Sequence, residues 1–329
     1  PCVDITTLAW LHPHDRDRHV RFESEGHVYY IRGKQTNGSV TGLIHALARP
    51  FDADEVISNM MAGDRWPRAG SLRPFLGETV LKRVRQVDAD LVLALLDSPR
   101  NDTWISNRLQ SLRTNFPEIV QSLVFGPHEI KRMWEANRID AALRGTHMHF
   151  WFEAHVNGYV VPKTSPEFSM LETFLQDMQG WRAFRTEWVI FGEEENIAGS
   201  IDLTAQNPNG QLALIDWKRT SSLASKFSSP WTMLPPLDHV PDCAGWHYRL
   251  QLNIYRYIVE KYYGFEVAMM LVVCTHPDQQ LRPFIDHVPR LDKEIEVVMS
   301  LRRDKAHAVD VSGGSDFEEQ LEKEMDWLN

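Results

Sequence analysis

The sequence predicts an α/β protein whose first half is mainly helical and whose second half combines short strands with helices. Residues 52–152 show a mainly helical pattern interrupted by Pro and Gly. After Gly180 the apolar residues instead fall into short runs of strand length. The 329 residues are enough for one large α/β domain, or for a core with a helical accessory region.

The individual elements are expected in the following order along the chain. A strand over 27–32 is followed by the turn-prone Asn37-Gly38, and the segment from Ser39 to Thr41 is expected to provide the N-cap of a helix. Later strands are expected over 184–191, 197–205, 212–217, 267–275 and 284–288. Two further helices are expected over 246–263, closed by Gly264, and over 291–303.

These elements predict three regions: an N-terminal strand and helical lobe over 1–140, an α/β core over 141–310 and an acidic C-terminal tail over 311–329.

Composition narrows the classes of protein that are expected. The 43% hydrophobic and 24% charged residues are typical of a soluble globular protein. Because no apolar run reaches membrane-spanning length, a transmembrane helix is not expected, and the first residues do not show the pattern of a signal peptide. The chain lacks an initiator Met, so it can be a fragment. A net charge of -10 disfavours the coating of nucleic acid by bulk electrostatics, but it is compatible with a local basic channel.

The cysteines predict a reduced, intracellular protein, with the compartment left open among nucleus, cytoplasm and mitochondrion. Cys2, Cys243 and Cys274 are far apart in the sequence. Three such cysteines are too few for a disulfide framework or for a four-cysteine zinc or iron–sulfur site.

The segment Ile215-Asp216-Trp217-Lys218 is the central chemical feature of the sequence. On a strand, residues two apart share a face, so Asp216 and Lys218 are expected to point the same way. A carboxylate beside an ammonium can hold a divalent cation and orient water near it. An exposed ion pair on a solvated strand face is the alternative.

Asp202 strengthens the interpretation of Asp216 as a metal ligand. If Pro208-Asn209-Gly210 forms a three-residue hairpin loop, Asn207 pairs with Gln211, and counting back places Asp202 opposite Asp216. Two adjacent carboxylates repel unless a cation binds between them. A loop of two or four residues would shift this register.

Two upstream segments supply further candidate ligands. On a helix, Gly145, His149 and Glu153 share a face, on which Gly145 permits close backbone approach and His149 can bind a metal. His147 points away from this face. Glu187 is a candidate ligand or a partner of a metal-bound water. For His149 the alternative is a hydrogen-bonded histidine on a helix that faces the core, and for Glu187 it is an ordinary exposed strand carboxylate.

Gln251 and Tyr255 are four apart on the helix that follows the sheet. An amide and a phenol on one helical face suit contacts to phosphate oxygens or to the lysine. Each residue alone is more often structural.

Together these residues resemble, in order, the RecB-like branch of the PD-(D/E)XK nucleases. The pattern of that family is G-T-x-x-H-x-x-x-E, then E, G-x-x-D, D-x-K and Q-x-x-x-Y. The matching residues here are Gly145, Thr146, His149, Glu153, Glu187, Gly199, Asp202, Asp216, Lys218, Gln251 and Tyr255. The resemblance covers 145–255. It departs from the iron–sulfur members, which carry four cysteines, and Trp217 is bulkier than the residue usual between the Asp and the Lys.

The resemblance implies a restriction-endonuclease-like core, a mixed central sheet flanked by helices, that hydrolyses DNA with one or two Mg²⁺ or Mn²⁺ ions. The implied metal ligands are His149, Glu187, Asp202, Asp216 and the carbonyl of Trp217. The implied catalytic residues are Asp202, Asp216, Lys218, Gln251 and Tyr255. Lys218 would position the attacking water and offset charge in the transition state.

The resemblance also implies contacts to DNA. The helical lobe would guide the DNA strand with residues such as Trp134, Arg138 and Arg144, for which ordinary helix packing and solvated charge are the alternative. The candidates are Ser39, Thr41, Arg144, Thr146 and Tyr255, and the segment from Ser39 to Thr41 resembles one in viral and mobile-element members, where a helix N-terminus receives a phosphate. Exonuclease action on single strands or ends is the first choice by analogy. Endonuclease action, a silent nucleic-acid-binding module and a small-molecule metallohydrolase are the alternatives. Membrane partners are not expected, and the oligomeric state stays open.

Overall fold

The computed structural model describes residues 7–36, 38–73, 77–96, 102–279 and 282–312. Asn37, Cys2 and the acidic stretch 316–326 lie outside these residues. The chain forms two compact units: one combines Pro1–Pro50 with Ala141–Asn329, and the other is Phe51–Asp140. The first 50 residues therefore belong with the α/β core, which differs from their expected assignment to the accessory lobe.

The N-terminal segment contains a short helix and a three-stranded antiparallel sheet. Its elements are α1 (Thr7–Leu11), β1 (Val20–Glu23), β2 (Val28–Ile31) and β3 (Lys34–Thr36). Arg32 and Gly33 both have positive φ, as the two-residue turn between β2 and β3 requires. The predicted strand over 27–32 is confirmed as β2.

Helix α2 (Val40–Leu47) follows, and its N-terminus joins this segment to the main sheet. The Ser39 hydroxyl accepts a hydrogen bond from the Gly42 amide at 2.9 Å, which confirms the predicted N-cap. The Ala198 amide donates to the Gly38 carbonyl at 2.9 Å. This backbone contact explains why residues 1–50 fold with the core.

The second unit is built from helices, as the sequence predicts. They are α3 (Ala53–Ala62), α4 (Glu78–Val87), α5 (Ala89–Leu96), α6 (Asp102–Asn115), α7 (Pro117–Leu123) and the first part of α8 (Pro127–Val156). Leu91, Leu109 and Leu123 are fully buried in a core of its own.

A five-stranded mixed sheet forms the centre of the larger unit, which makes the protein a mixed α/β structure. Its strands are β4 (Arg182–Gly192), β5 (Ile197–Gln206), β6 (Leu212–Lys218), β7 (Val267–Cys274) and β8 (Phe284–His287), in that spatial order. β6 and β7 are parallel, and the other neighbours are antiparallel. All five predicted strands are confirmed within one or two residues at each end.

Helices cover both faces of this sheet. α8 and α9 (Pro166–Asp177) pack on one face through Phe152, Phe168 and Phe174. α2, α10 (Ala244–Ile258) and α11 (Asp292–Ser312) pack on the other through Ile44, Ile254 and Met299. α10 continues as a π-helical turn to Tyr263 and ends at Gly264, whose φ of 73° confirms the predicted helix end.

A buried carboxylate fixes the turn between β4 and β5. Glu195 is fully buried and accepts hydrogen bonds from Tyr262 (2.7 Å), Tyr257 (2.9 Å), Arg303 (2.9 Å) and Lys261 (3.2 Å). Burial raises the pKa of Glu195, but these donors more than offset it and hold the pKa below its usual value.

Among the described residues, no helix combines the length and apolarity needed to cross a membrane.

Candidate metal centre

The hairpin between β5 and β6 has the register that the sequence predicts. Gly210 has a φ of 82°, and the Asn207 amide donates to the Gln211 carbonyl at 3.0 Å. Pro208-Asn209-Gly210 is therefore a three-residue loop. The ladder then runs back to the pair Leu203 and Ile215, one residue short of Asp202 and Asp216.

At Asp202 the strand departs from regular pairing. Ile201 packs in the core beneath α10, whereas Leu203 packs in the opposite core beneath α8. In a regular strand these two residues would share a face, so the chain rotates at Asp202. Its Oδ2 accepts a hydrogen bond from the Trp217 amide at 2.7 Å. The expected side-by-side pairing with Asp216 is thus replaced by a carboxylate contact to the next residue of β6.

Glu187 lies on β4 at the level of Asp202, since the neighbouring pairs are Thr186 with Leu203 and Trp188 with Ile201. Its φ of 42° is unusual for a non-glycine residue in a strand. Such a conformation costs about 1–3 kcal/mol and is characteristic of functional sites. The Ser200 hydroxyl donates to Glu187 Oε2 at 3.0 Å.

His149 faces the three strands from α8. Its Nε2 donates to the Trp217 carbonyl at 3.1 Å, because a carbonyl can only accept. Its Nδ1 lies 3.6 Å from Asp202 Oδ2 and 3.9 Å from Glu187 Oε1. His147 is exposed and accepts from the Trp151 indole at 2.8 Å. The prediction that His149, rather than His147, faces the strands is confirmed.

The other predicted residues on α8 and Trp217 lie as follows. A Cβ on Gly145 would meet no atom within 4 Å in the described chain, so no protein group approaches the backbone closely at Gly145. Thr146 and Arg144 are exposed on α8. Trp217 directs its side chain away from His149, into the core with Phe152 and Phe174, which leaves only its backbone at the site.

One ligand atom each from His149, Glu187 and Asp202 lie within 4.8 Å of one another. Asp216 lies outside this group. Its two oxygens are each 3.0 Å from Lys218 Nζ, but only Oδ1 has hydrogen-bonding geometry. Oδ2 is buried without a hydrogen-bond donor among the described residues, which is costly for an anionic oxygen.

The pKa values of the site residues are shifted by burial and by the neighbouring carboxylates. Burial raises the pKa of Asp202 to about 7, with Asp216 and Glu187 adding to the effect while His149 and Lys218 oppose it. Burial lowers the pKa of His149, but Asp202 and Glu187 outweigh burial and raise it to about 9. Burial likewise lowers the pKa of Lys218, while Asp216 and Asp202 raise it above its usual value overall.

The donor set fits a hard divalent cation. The His149 nitrogen that faces the carboxylates is Nδ1, which lies 3.6 Å from Asp202 Oδ2 and 3.9 Å from Glu187 Oε1, so an imidazole nitrogen and two carboxylates surround one point. The buried Asp216 Oδ2 has an unused lone pair. Carboxylates, a carbonyl and an imidazole together are typical ligands of Mg²⁺ and Mn²⁺ sites.

α10 closes the site on one side of the sheet. Gln251 Nε2 donates to the Tyr255 hydroxyl at 3.0 Å, and Tyr255 is 3% exposed. A Cβ on Gly199 would lie 2.6 Å from Tyr255 Cε1, so this position requires glycine. Gln251 and Tyr255 therefore contact each other, and the expected contact of Tyr255 to DNA is wrong because its side chain is buried. The aromatic ring over Lys218 belongs to Tyr248, at 4.7 Å.

The remaining predicted contact residues lie on α2. The Ser39 side chain caps the helix, and Thr41 is half-buried in its first turn. Sequence analysis missed Tyr29 and Tyr248. Tyr29, on β2, is buried near the carboxylates: burial raises its pKa, and the charges of Glu187 and Asp202 add to this. No local pattern could have placed either tyrosine there, because both approach through long-range packing.

Comparison with known proteins does not assign the chain to a family. No family model matches the sequence, and no curated protein matches it. Among solved structures, that of SSO0001 is similar at a TM-score of 0.26 with 17% sequence identity, covering 70% of this chain and 85% of the other.

Proposed function

We propose that this protein is a metal-dependent nuclease with a PD-(D/E)XK-type core that hydrolyses phosphodiester bonds of DNA. The observation that carries the proposal is the convergence of His149, Glu187 and Asp202 within 4.8 Å, next to the Asp216–Lys218 ion pair. Three carboxylates, a histidine and a lysine are thus gathered in one half-buried place, and metal-assisted phosphodiester hydrolysis uses groups of all these kinds.

His149, Asp202, Asp216 and the Trp217 carbonyl would hold one or two Mg²⁺ or Mn²⁺ ions, with Glu187 as a further ligand or the partner of a bound water. When bound, such an ion polarises the phosphoryl oxygen and lowers the pKa of water. Lys218 is aligned by Asp216 and can orient the attacking water while its charge stabilises the pentavalent phosphorus. Tyr255 and Gln251 support the sheet beneath the site.

We further propose exonuclease action on single strands or ends. This preference rests on the motif resemblance, and the net charge of -10 agrees with it, because a confined groove suits such a protein better than broad duplex coating. Ser39, Thr41, Arg144 and Thr146 are the proposed contacts to the DNA strand.

End-labelled linear DNA and closed circles, each single- and double-stranded, test this proposal when incubated with Mg²⁺, Mn²⁺ or EDTA, beside matching RNA. Linear single-stranded DNA should be degraded progressively, closed circles should survive, and EDTA should stop cleavage. Asp202→Asn and Asp216→Asn should each abolish cleavage, whereas Asp238→Asn, an exposed aspartate in the loop after β6, should not.

Full cleavage in EDTA, or by both site variants, would refute the metal-dependent nuclease. Cutting of closed single-stranded circles as fast as linear DNA would instead favour an endonuclease with the same metal centre.

A further inference from the structure

The Lys218 ammonium is held between two groups. Asp216 lies at 3.0 Å on one side, and the Tyr248 ring centroid lies 4.7 Å from Nζ on the other. A cation over the face of an aromatic ring is attracted by the ring quadrupole within about 6 Å. Tyr248 is therefore a second determinant of where the lysine ammonium lies.

The backbone around Tyr248 is anchored on both sides, so the ring has a fixed place. Arg249 donates to both oxygens of Asp286 on β8, each at 2.8 Å. Before Tyr248, the Gly245 amide donates to the Lys226 carbonyl at 2.9 Å, and the Trp246 indole donates to the Phe227 carbonyl at 3.3 Å. The first turns of α10 are thus attached both to the sheet and to the loop after β6.

The ring face of Tyr248, rather than its hydroxyl, makes the contact. Tyr248 is half-buried, and the Lys218 ammonium lies over its ring, 4.7 Å from the centroid. Lys218 in turn has a flexible four-carbon stem, and a single carboxylate leaves its ammonium free to rotate about that ion pair. The ring restricts this freedom, and misplacement of a reacting group by about 1 Å can cost on the order of a hundredfold in rate.

We infer that Tyr248 is a positioning residue that holds the Lys218 ammonium, through its ring face, in the orientation used for cleavage. This inference rests on the proposed nuclease function. It assigns to α10 a role in the site that is separate from the Gln251–Tyr255 pair.

Two variants separate the ring from the hydroxyl. Tyr248→Leu should lower kcat roughly tenfold while leaving KM and the half-saturating Mn²⁺ concentration unchanged, whereas Tyr248→Phe should stay within about threefold of the wild type. The matched control is Tyr257→Leu, since Tyr257 is also on α10 and has its ring 5.3 Å from Lys261, outside the site. That control should keep the wild-type kcat.

A ring-current measurement tests the contact without any activity. With ¹³C-labelled lysine, the Lys218 ε-CH2 signal, assigned by its loss in Lys218→Arg, should be shifted upfield in wild type and Tyr248→Phe. In Tyr248→Leu it should move to the position of a free lysine.

The inference is overturned if Tyr248→Leu cleaves at the wild-type rate, if Tyr248→Phe loses as much as Tyr248→Leu, or if the upfield shift is missing in the wild type. If the wild type cleaves no nucleic acid at all, the proposed function has failed instead, and the ring-current shift then reports on the contact alone.

Discussion

Gly199→Ala should destabilise the protein, because Tyr255 occupies the space that an added methyl group would need. The new Cβ would lie 2.6 Å from Tyr255 Cε1 and 3.2 Å from Cζ, compared with the usual 3.5–4.0 Å between carbon atoms. Tyr255 is 3% exposed and cannot swing into solvent. Overpacking of this kind costs about 1–3 kcal/mol, and replacing a strand glycine returns about 0.5–1 kcal/mol. Because 2.6 Å is far inside van der Waals contact, we take the upper half of the overpacking range, about 2–3 kcal/mol, and expect a net loss of about 1–2.5 kcal/mol.

Gly145→Ala is the matched control, because Gly145 is also a motif glycine but its Cβ would meet open space on a helix. It should stabilise the protein by about 0.5–1 kcal/mol. Thermal unfolding followed by circular dichroism measures both changes as shifts in melting temperature, at roughly 1–2 °C for each kcal/mol in a chain of this length. Equal melting temperatures for Gly199→Ala and wild type would refute the packing argument, as would a destabilised Gly145→Ala.

Three further predictions concern the site and the turn between β4 and β5. Lys218→Ala should lose cleavage by roughly a hundredfold or more while retaining metal and DNA binding in titrations; wild-type turnover would reassign Lys218 to a simple ion pair. His149→Ala should weaken Mn²⁺ affinity by roughly 10- to 100-fold and His147→Ala only mildly, and the reverse ranking would contradict the geometry. Because the pKa of Glu195 is lowered in the folded protein, its stabilising effect is present above the unfolded value and is lost as pH falls through the folded value. The urea-midpoint difference between wild type and Glu195→Gln should therefore be large at pH 7 and vanish in acid, and a pH-independent difference would argue against this linkage.

The parts of the fold that depend on local patterns were predictable from the sequence. Alternation and apolar runs located β4 to β8, and Asn207-Pro208-Asn209-Gly210 was enough to set the hairpin register. Helical spacing was enough to choose His149 over His147. Each of these inferences uses residues close in sequence, where backbone geometry leaves few choices.

The parts that depend on long-range packing were not predictable. The sequence predicts that the segment over 1–50 belongs to the helical lobe, because the local pattern of its strand and helix does not indicate which element they pack against. In the structure β2 packs on β4 and β5 and brings Tyr29 to the carboxylates. Tyr248 reaches Lys218 only because the parallel crossover between β6 and β7 lays α10 over the sheet.

The candidate site forms where the sheet is least regular, and this has a physical reason. A regular strand alternates its side chains, so Glu187 and Asp202 would each be fixed to one packed face of a sheet that is covered on both sides. Because Glu187 has a positive φ and β5 rotates at Asp202, neither strand keeps the regular alternation of side chains at these two carboxylates. The irregularity costs about 1–3 kcal/mol at Glu187, and it is sustained because the flanking Trp188 and Ile201 are fully buried. Repulsion between the gathered carboxylates adds to this cost, and a bound divalent cation would relieve it.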